Sequence, residues 1–205
     1  MSLDTYANLQ IAIANFAHRS DLTAVLPDLI TLAEVRINGN LDARLQDIKT
    51  ALSTVADTES LSLPSDVIDI RHLSVSSTTP IQVLVYQVPD SFEVAHAWGE
   101  TGTPRAYTII GSLLYLAPVP DSVYTLDLVY KGRVPSLPTT NTTNYLLTNY
   151  PKVYLTAAMC EVAIYIKSPV LAQLWEPQYK TAIDAVNSQD WATSSTMRVK
   201  TDVRA

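Results

Sequence analysis

The hydrophobic period of this chain changes twice. Up to about residue 49 apolar residues recur at helical spacing, from about Thr50 to Lys131 they alternate, and beyond residue 135 the helical spacing returns. A strand buries every second side chain and a helix every third or fourth, so one element cannot satisfy both patterns. The expected fold class is α+β, a helical bundle body of about four main helices with an inserted antiparallel β module. The expected divisions are 1–49 and 135–190 for the two parts of the body, 50–134 for the module with one short helix, and 191–205 for an extended C-terminal arm.

Local signals place the elements. Leu9, Ile13, Phe16 and Ala17 form a helical stripe that stops at His18-Arg19-Ser20-Asp21. Pro27 suits the first position of a second helix carrying Leu29, Ile30, Ala33 and Ile37 to Gly39. Asp28 and Arg36 then sit at the ends that favour their charges. In the alternating region Leu61-Ser-Leu63, Val67–Val75, Ile81–Tyr86 and Tyr124–Tyr130 read as strands, and Gly111-Ser112 joins Tyr107–Ile110 to Leu113–Leu116 as a two-residue hairpin. Asp90 and Glu93 open a short helix to Trp98. Pro135–Thr143 is a loop. Pro151–Ile166 is apolar on nearly all sides, so that helix is either central to the core or covered by another subunit. Ser168-Pro169 starts the last helix, whose stripe is Leu171, Leu174, Trp175, Ile183 and Val186, and Pro177 within it predicts a kink.

Composition excludes several classes. With 47% apolar and 17% charged residues the chain has enough material for a core and lacks the signature of disorder. Its single cysteine, Cys160, rules out an internal disulfide scaffold and fits a reducing compartment. No secretory signal opens the sequence, and the most apolar window, Val153–Ile166, is too short to span a bilayer, so no membrane association is expected. The formal charge of −6 argues against a tight grip on nucleic acid. Residues 1–149 carry 15 acidic and 8 basic groups, whereas residues 191–205 set only Asp202 against Arg198, Lys200 and Arg204. That cationic end either pairs with an acidic neighbour or is a solvated terminus.

Reaction chemistry is sparse. Phosphate-loop, dinucleotide, nucleophile-elbow and H-E-x-x-H motifs are absent, and His18, His72 and His96 have no second ligand at metal-binding spacing. No catalytic, cofactor or metal residues are therefore assigned. Asp66 and Asp69 read as solvated or capping carboxylates. His72 shares a strand face with Ile68 and Ile70 and reads as a core or edge histidine. Cys160, within the apolar helix, reads as a small hydrophobe. Tyr145, Trp175 and Trp191 are the aromatics least accounted for by the core and, with Arg198, Lys200 and Arg204, are the candidate interface residues.

An ordered set of segments resembles a known family. Ala17-His-Arg-Ser-Asp-Leu22, Leu26-Pro-Asp-Leu-Ile30 and Leu32-Ala-Glu-Val-Arg-Ile-Asn38 are followed by Leu61-Ser-Leu-Pro-Ser-Asp66, Ile70-Arg71-His72-Leu73 and Gly102-Thr-Pro104. Tyr107-Thr-Ile-Ile-Gly111, Leu116-Ala-Pro-Val-Pro120, Tyr124-Thr-Leu-Asp-Leu-Val-Tyr130, Asn144-Tyr-Leu-Leu-Thr148, Tyr150-Pro151, Tyr154-Leu155, Trp175-Glu176 and Tyr179 complete the series. In this order they resemble the head-to-tail adaptor proteins of tailed bacteriophages, with Pro177 a departure. The resemblance implies a non-enzymatic virion protein at the head–tail interface, made in the host cytoplasm. It implies a homo-oligomeric ring of about twelve copies, closed by a heterologous contact, beneath the portal protein. It also implies a lumen that passes DNA without specific binding and a far side that meets the tail or the next completion protein. The rival readings are a tail-terminator or tail-completion ring, a small hydrolase or carbohydrate-binding module using Asp66, Asp69 or His72, and a monomeric ligand-binding domain.

Overall fold

The computed structural model describes residues 3–95, 100–137 and 141–195, with side chains up to residue 188. Two compact units result: Met1–Arg44 with Val134–Ala205, which is helical, and Leu45–Arg133, which holds the strands. The expected α+β plan needs correction in detail. Among the described residues there are six α-helices and three sheets, two of which contain parallel pairs, rather than a four-helix body with one antiparallel module.

The helical unit is organised by its central helix. α1 (Tyr6–Ala17) is capped by Thr5, whose side chain accepts the Asn8 N–H, and ends at His18 in the left-handed conformation (φ 52°). α2 (Leu26–Asn40) has Pro27 in its first turn and buries Leu29, Ile30, Ala33 and Ile37. α4 (Tyr145–Asn149) is a short helix capped by the Asn144 side chain; α3 belongs to the other unit. α5 (Pro151–Tyr165) packs against α1, α2, α4 and α6 (Pro169–Ser195). Its all-round apolar surface is thereby explained within one chain. α6 starts as expected, Ser168 Oγ accepting the Leu171 N–H at 3.4 Å, and its helical assignment runs through Pro177 without a break. It also continues to Ser195, past the Trp191 at which an extended arm was expected; residues 196–205 lie outside the described set.

Side chains of the helical unit hold the two segments where the chain leaves and re-enters it. On leaving, Asn187 accepts the Asp42 N–H at 2.9 Å and donates to the Asn40 carbonyl at 3.1 Å. On return, Asn38 Oδ1 accepts the Val134 N–H (2.8 Å), Glu34 Oε1 the Leu137 N–H (2.7 Å), and Asn144 Nδ2 donates to the Pro135 carbonyl (2.7 Å). Asn144 also donates to the Tyr154 hydroxyl at 2.7 Å, and Tyr154 in turn bonds Glu34. These polar groups replace the ladder that a loop crossing the core would otherwise lack.

The strand unit stacks two sheets over a second core of Leu73, Val75, Leu84, Tyr107, Leu114, Leu116, Leu126, Leu128 and Tyr130. In order, its elements are β1 (Asp47–Ser53), β2 (Ser60–Ser62), β3 (Val67–Val75), β4 (Gln82–Val83), β5 (Val85–Tyr86), α3 (Pro89–Ala95), β6 (Thr101–Gly102), β7 (Ala106–Ile110), β8 (Leu113–Ala117), β9 (Val119–Pro120) and β10 (Thr125–Gly132). One sheet has order β1-β10-β3-β4, the other β2-β8-β7-β5, and β6 and β9 form a parallel pair. Gly111 adopts φ 64° in the β7–β8 hairpin, the left-handed value its two-residue loop requires. In β3, Ile70 faces Tyr130 and His72 faces Val129, so Arg71 is the extra residue of a bulge. The bulge shifts the alternation: Leu73 is buried and His72 is exposed, which overturns the core alternative of its expected role.

Glu34 is 7% exposed, and burial pushes its carboxyl above the ordinary value of 4.5 despite the Leu137 N–H and Tyr154 bonds. With the folded value raised, ionisation costs stability: the contribution is fully present below pH 4.5 and is lost as pH rises through the raised value. Glu34→Gln, which keeps the acceptor and removes the charge, is expected to be at least as stable as wild type at pH 7, the gap narrowing at pH 5. Glu34→Ala orphans the Leu137 N–H and should lose about 1–3 kcal/mol. Urea midpoints at both pH values measure this.

Candidate interaction surfaces

Burial decides what the candidate aromatics do. Trp175 is 8% exposed, and its indole meets the Phe16 ring edge-on, with centroids 5.9 Å apart and planes at 83°. Its Nε1–H has no acceptor among the described residues. Tyr145 packs against the same core; its hydroxyl is also buried without a partner, and desolvation pushes it up to about 12. Both were expected as interface candidates; within the protomer Trp175 is buried in the core and Tyr145 is half-buried against it. The Trp191 backbone lies in α6, and its side chain, with Arg198, Lys200 and Arg204, falls outside the described set.

The residues considered for chemistry are also committed elsewhere. The Asp66 carboxylate accepts the Tyr130 hydroxyl at 3.0 and 3.1 Å. Asp69 is exposed, 3.9 Å from Arg71, and His72 lies on the outer side of the bulged strand. Cys160 is buried, and desolvation followed by the neighbouring Glu176 pushes its thiol up to about 12, far from a thiolate nucleophile. No cluster of three or more His, Cys, Asp and Glu residues suited to a metal occurs among the described residues. An open depression of ≈ 480 Å³ beside the start of α1, lined by Thr5, Tyr6, Gln10, Pro27 and Thr142, carries no charged side chain. No helix among the described residues is long and apolar enough to cross a membrane.

One charged group was undervalued in the sequence. Arg36 joins three helices instead of merely complementing the end of α2. Its Nε donates to Glu161 at 2.7 Å, its Nη1 to both Glu176 oxygens at 2.9 and 3.0 Å, and its guanidinium lies 5.6 Å from the centre of the Tyr179 ring. This accounts for Glu161 inside the most apolar helix. A spacing signal existed, since Glu161 is the lone acidic residue of that helix and must find a cation if buried.

What remains for partners is exposed apolar surface; besides residues such as Leu32 and Val35 on α2 and Val55, Val94 and Val123 on the strand unit, two groups are considered for contact. On the helical unit Phe16, at the end of α1, is 52% exposed; Tyr165, at the end of α5, is 51%; Val170 and Leu174, one turn apart on α6, are 73% and 52%. On the strand unit Ile81, Val83 and Val85 alternate outward at 63%, 49% and 63%, followed by Val88 at 54%. Their inward neighbour Leu84 is buried. Sequence reading placed Phe16 and Leu174 on the apolar stripes of their helices, because amphipathic spacing identifies apolar faces without showing which ones a single chain covers.

The model of the SU10 adaptor protein family matches residues 4–200. The chain belongs to that family. This establishes the resemblance to phage head-to-tail adaptors and makes the chain a phage adaptor protein and a virion component. No curated protein matches the chain. For an adaptor, exposed apolar surface on a well-packed body is the functional feature to explain.

If Trp175 is a core residue, Trp175→Ala should cost about 3–5 kcal/mol of stability. Trp175→Phe should cost much less, because the lost N–H had no acceptor. Denaturant midpoints of the two variants test the assignment; equal, small losses would return Trp175 to the surface.

Proposed function

We propose that the chain forms a ring beneath the portal at the head–tail interface, conducts and retains DNA in its lumen, and offers the surface to which the tail attaches. The observation that carries this reading is the family match across nearly the whole chain. The unlike apolar surfaces support it, because a head-to-tail contact between identical copies needs two different faces and closes into a ring when its rotation closes. Charge supports the DNA path. The strand unit, residues 45–133, holds 10 acidic and 5 basic residues, and an acidic wall repels phosphate and lets the duplex slide. In this reading the role is structural, in keeping with the adaptor family to which the chain belongs.

The cationic end, with Arg198, Lys200 and Arg204, serves in this reading to dock on the portal or an adjacent copy. Purified protein added to portal-bearing, tailless capsids is expected to build an annular layer visible by electron microscopy and to restore tail binding. A chain lacking residues 196–205 should keep its circular-dichroism spectrum and lose attachment. Unchanged attachment would remove the docking role from this segment. Binding to isolated tails but not to portal would point to a tail-completion ring instead.

A further inference from the structure

Ile81, Val83 and Val85 face outward along a segment whose opposite side seats Leu84 in the core. A strand apolar on both faces needs cover on both. β4 and β5, which this segment contains, are each the end strand of their sheet, so no further strand of either sheet covers their outer edge. The surface of Phe16, Tyr165, Val170 and Leu174 is equally unpartnered.

Size and charge suggest what covers them. From the exposed fractions, each surface presents on the order of 500 Å² of apolar side chain, comparable to the largest patch on a typical monomer, and with a polar rim it approaches the roughly 800 Å² per partner of a stable contact. Charges that can pair stand beside both surfaces, although Arg105 next to Val85 and Glu176 next to Leu174 make each rim mixed in sign. Asp90 and Glu93 on α3 flank the strand-unit strip, Lys167 lies between Tyr165 and Val170, and all three are exposed without an ion-pair partner among the described residues. Two unlike surfaces, similar in area and carrying unpaired charges of opposite sign in Asp90 and Glu93 on one and Lys167 on the other, are what a heterologous contact between copies requires.

We propose that the Ile81–Val88 strip of one copy seats on the Phe16, Tyr165, Val170 and Leu174 surface of the next, with Asp90 and Glu93 facing Lys167. This inference rests on the ring reading above and assigns the residues that close the ring.

Crosslinking on portal-bearing capsids tests it. Val85→Cys and Leu174→Cys place thiols on the two faces, while the buried Cys160 makes wild type the unreactive control. With a short bis-maleimide, the double variant should give a ladder of covalent oligomers, and a mixture of the two single variants should stop at dimers. Val85→Glu or Leu174→Glu, each checked for a native circular-dichroism spectrum, should reduce bound copies about tenfold or more. A multi-copy layer seen by microscopy that yields only monomers, or a crosslink within one chain, would overturn the pairing and leave the ring intact. The absence of any multi-copy layer would overturn the ring reading and the pairing with it.

Discussion

The burial of α5 is the constraint on which the helical unit depends. Val153, Tyr154, Ala157, Ala158, Met159, Cys160 and Val162 are all nearly inaccessible, and they point to different sides of one helix. A helix apolar all round cannot rest on a surface; it must be enclosed. α1, α2, α4 and α6 are the enclosure, drawn from both ends of the chain. The small residues Ala157 and Ala158 allow close approach, and Tyr154, the largest fully buried side chain, fills space while its hydroxyl reaches Asn144. Each large apolar side chain removed from water contributes roughly 1.5–3 kcal/mol, so this helix supplies much of the driving force for bringing distant segments together.

Polar groups then specify what the apolar core drives. Arg36 fixes the relative placement of α2, α5 and α6 through Glu161 and Glu176. Glu34, Asn38, Asn144 and Asn187 bind the backbone where it leaves and returns to the unit. Buried or half-buried charges are a weak source of net stability, but losing one partner is costly, which makes such contacts good determinants of a single arrangement. The segments between the units are thereby anchored by side chains more than by regular secondary structure.

Function follows from surface. Of the groups considered for chemistry, Asp66 is bonded to Tyr130 and Cys160 lies in an apolar surround, while Asp69 and His72 are exposed; the buried Glu34 binds the returning backbone. Among the described residues the exposed apolar side chains have no cover, and surface of that kind is where a partner contact is to be sought.

The sequence by itself determined the α+β class, the positions of the main helices, the β7–β8 hairpin and the family, because these depend on local periodicity, on Pro27, Gly111 and Ser168 at their special positions, and on ordered motifs. It did not determine β1, the two-residue strands β6 and β9, the parallel pairing of β5 with β7, or the five-residue α4. Elements that short carry no period and exist only because neighbours complete their hydrogen bonds. Nor could it separate Phe16 and Val83, which face outward, from Leu9 and Leu84, which do not. Tertiary structure alone decided that, as it placed Trp175 in the core and turned His72 outward at the bulge, since burial belongs to the packing of distant segments and not to a residue's own type.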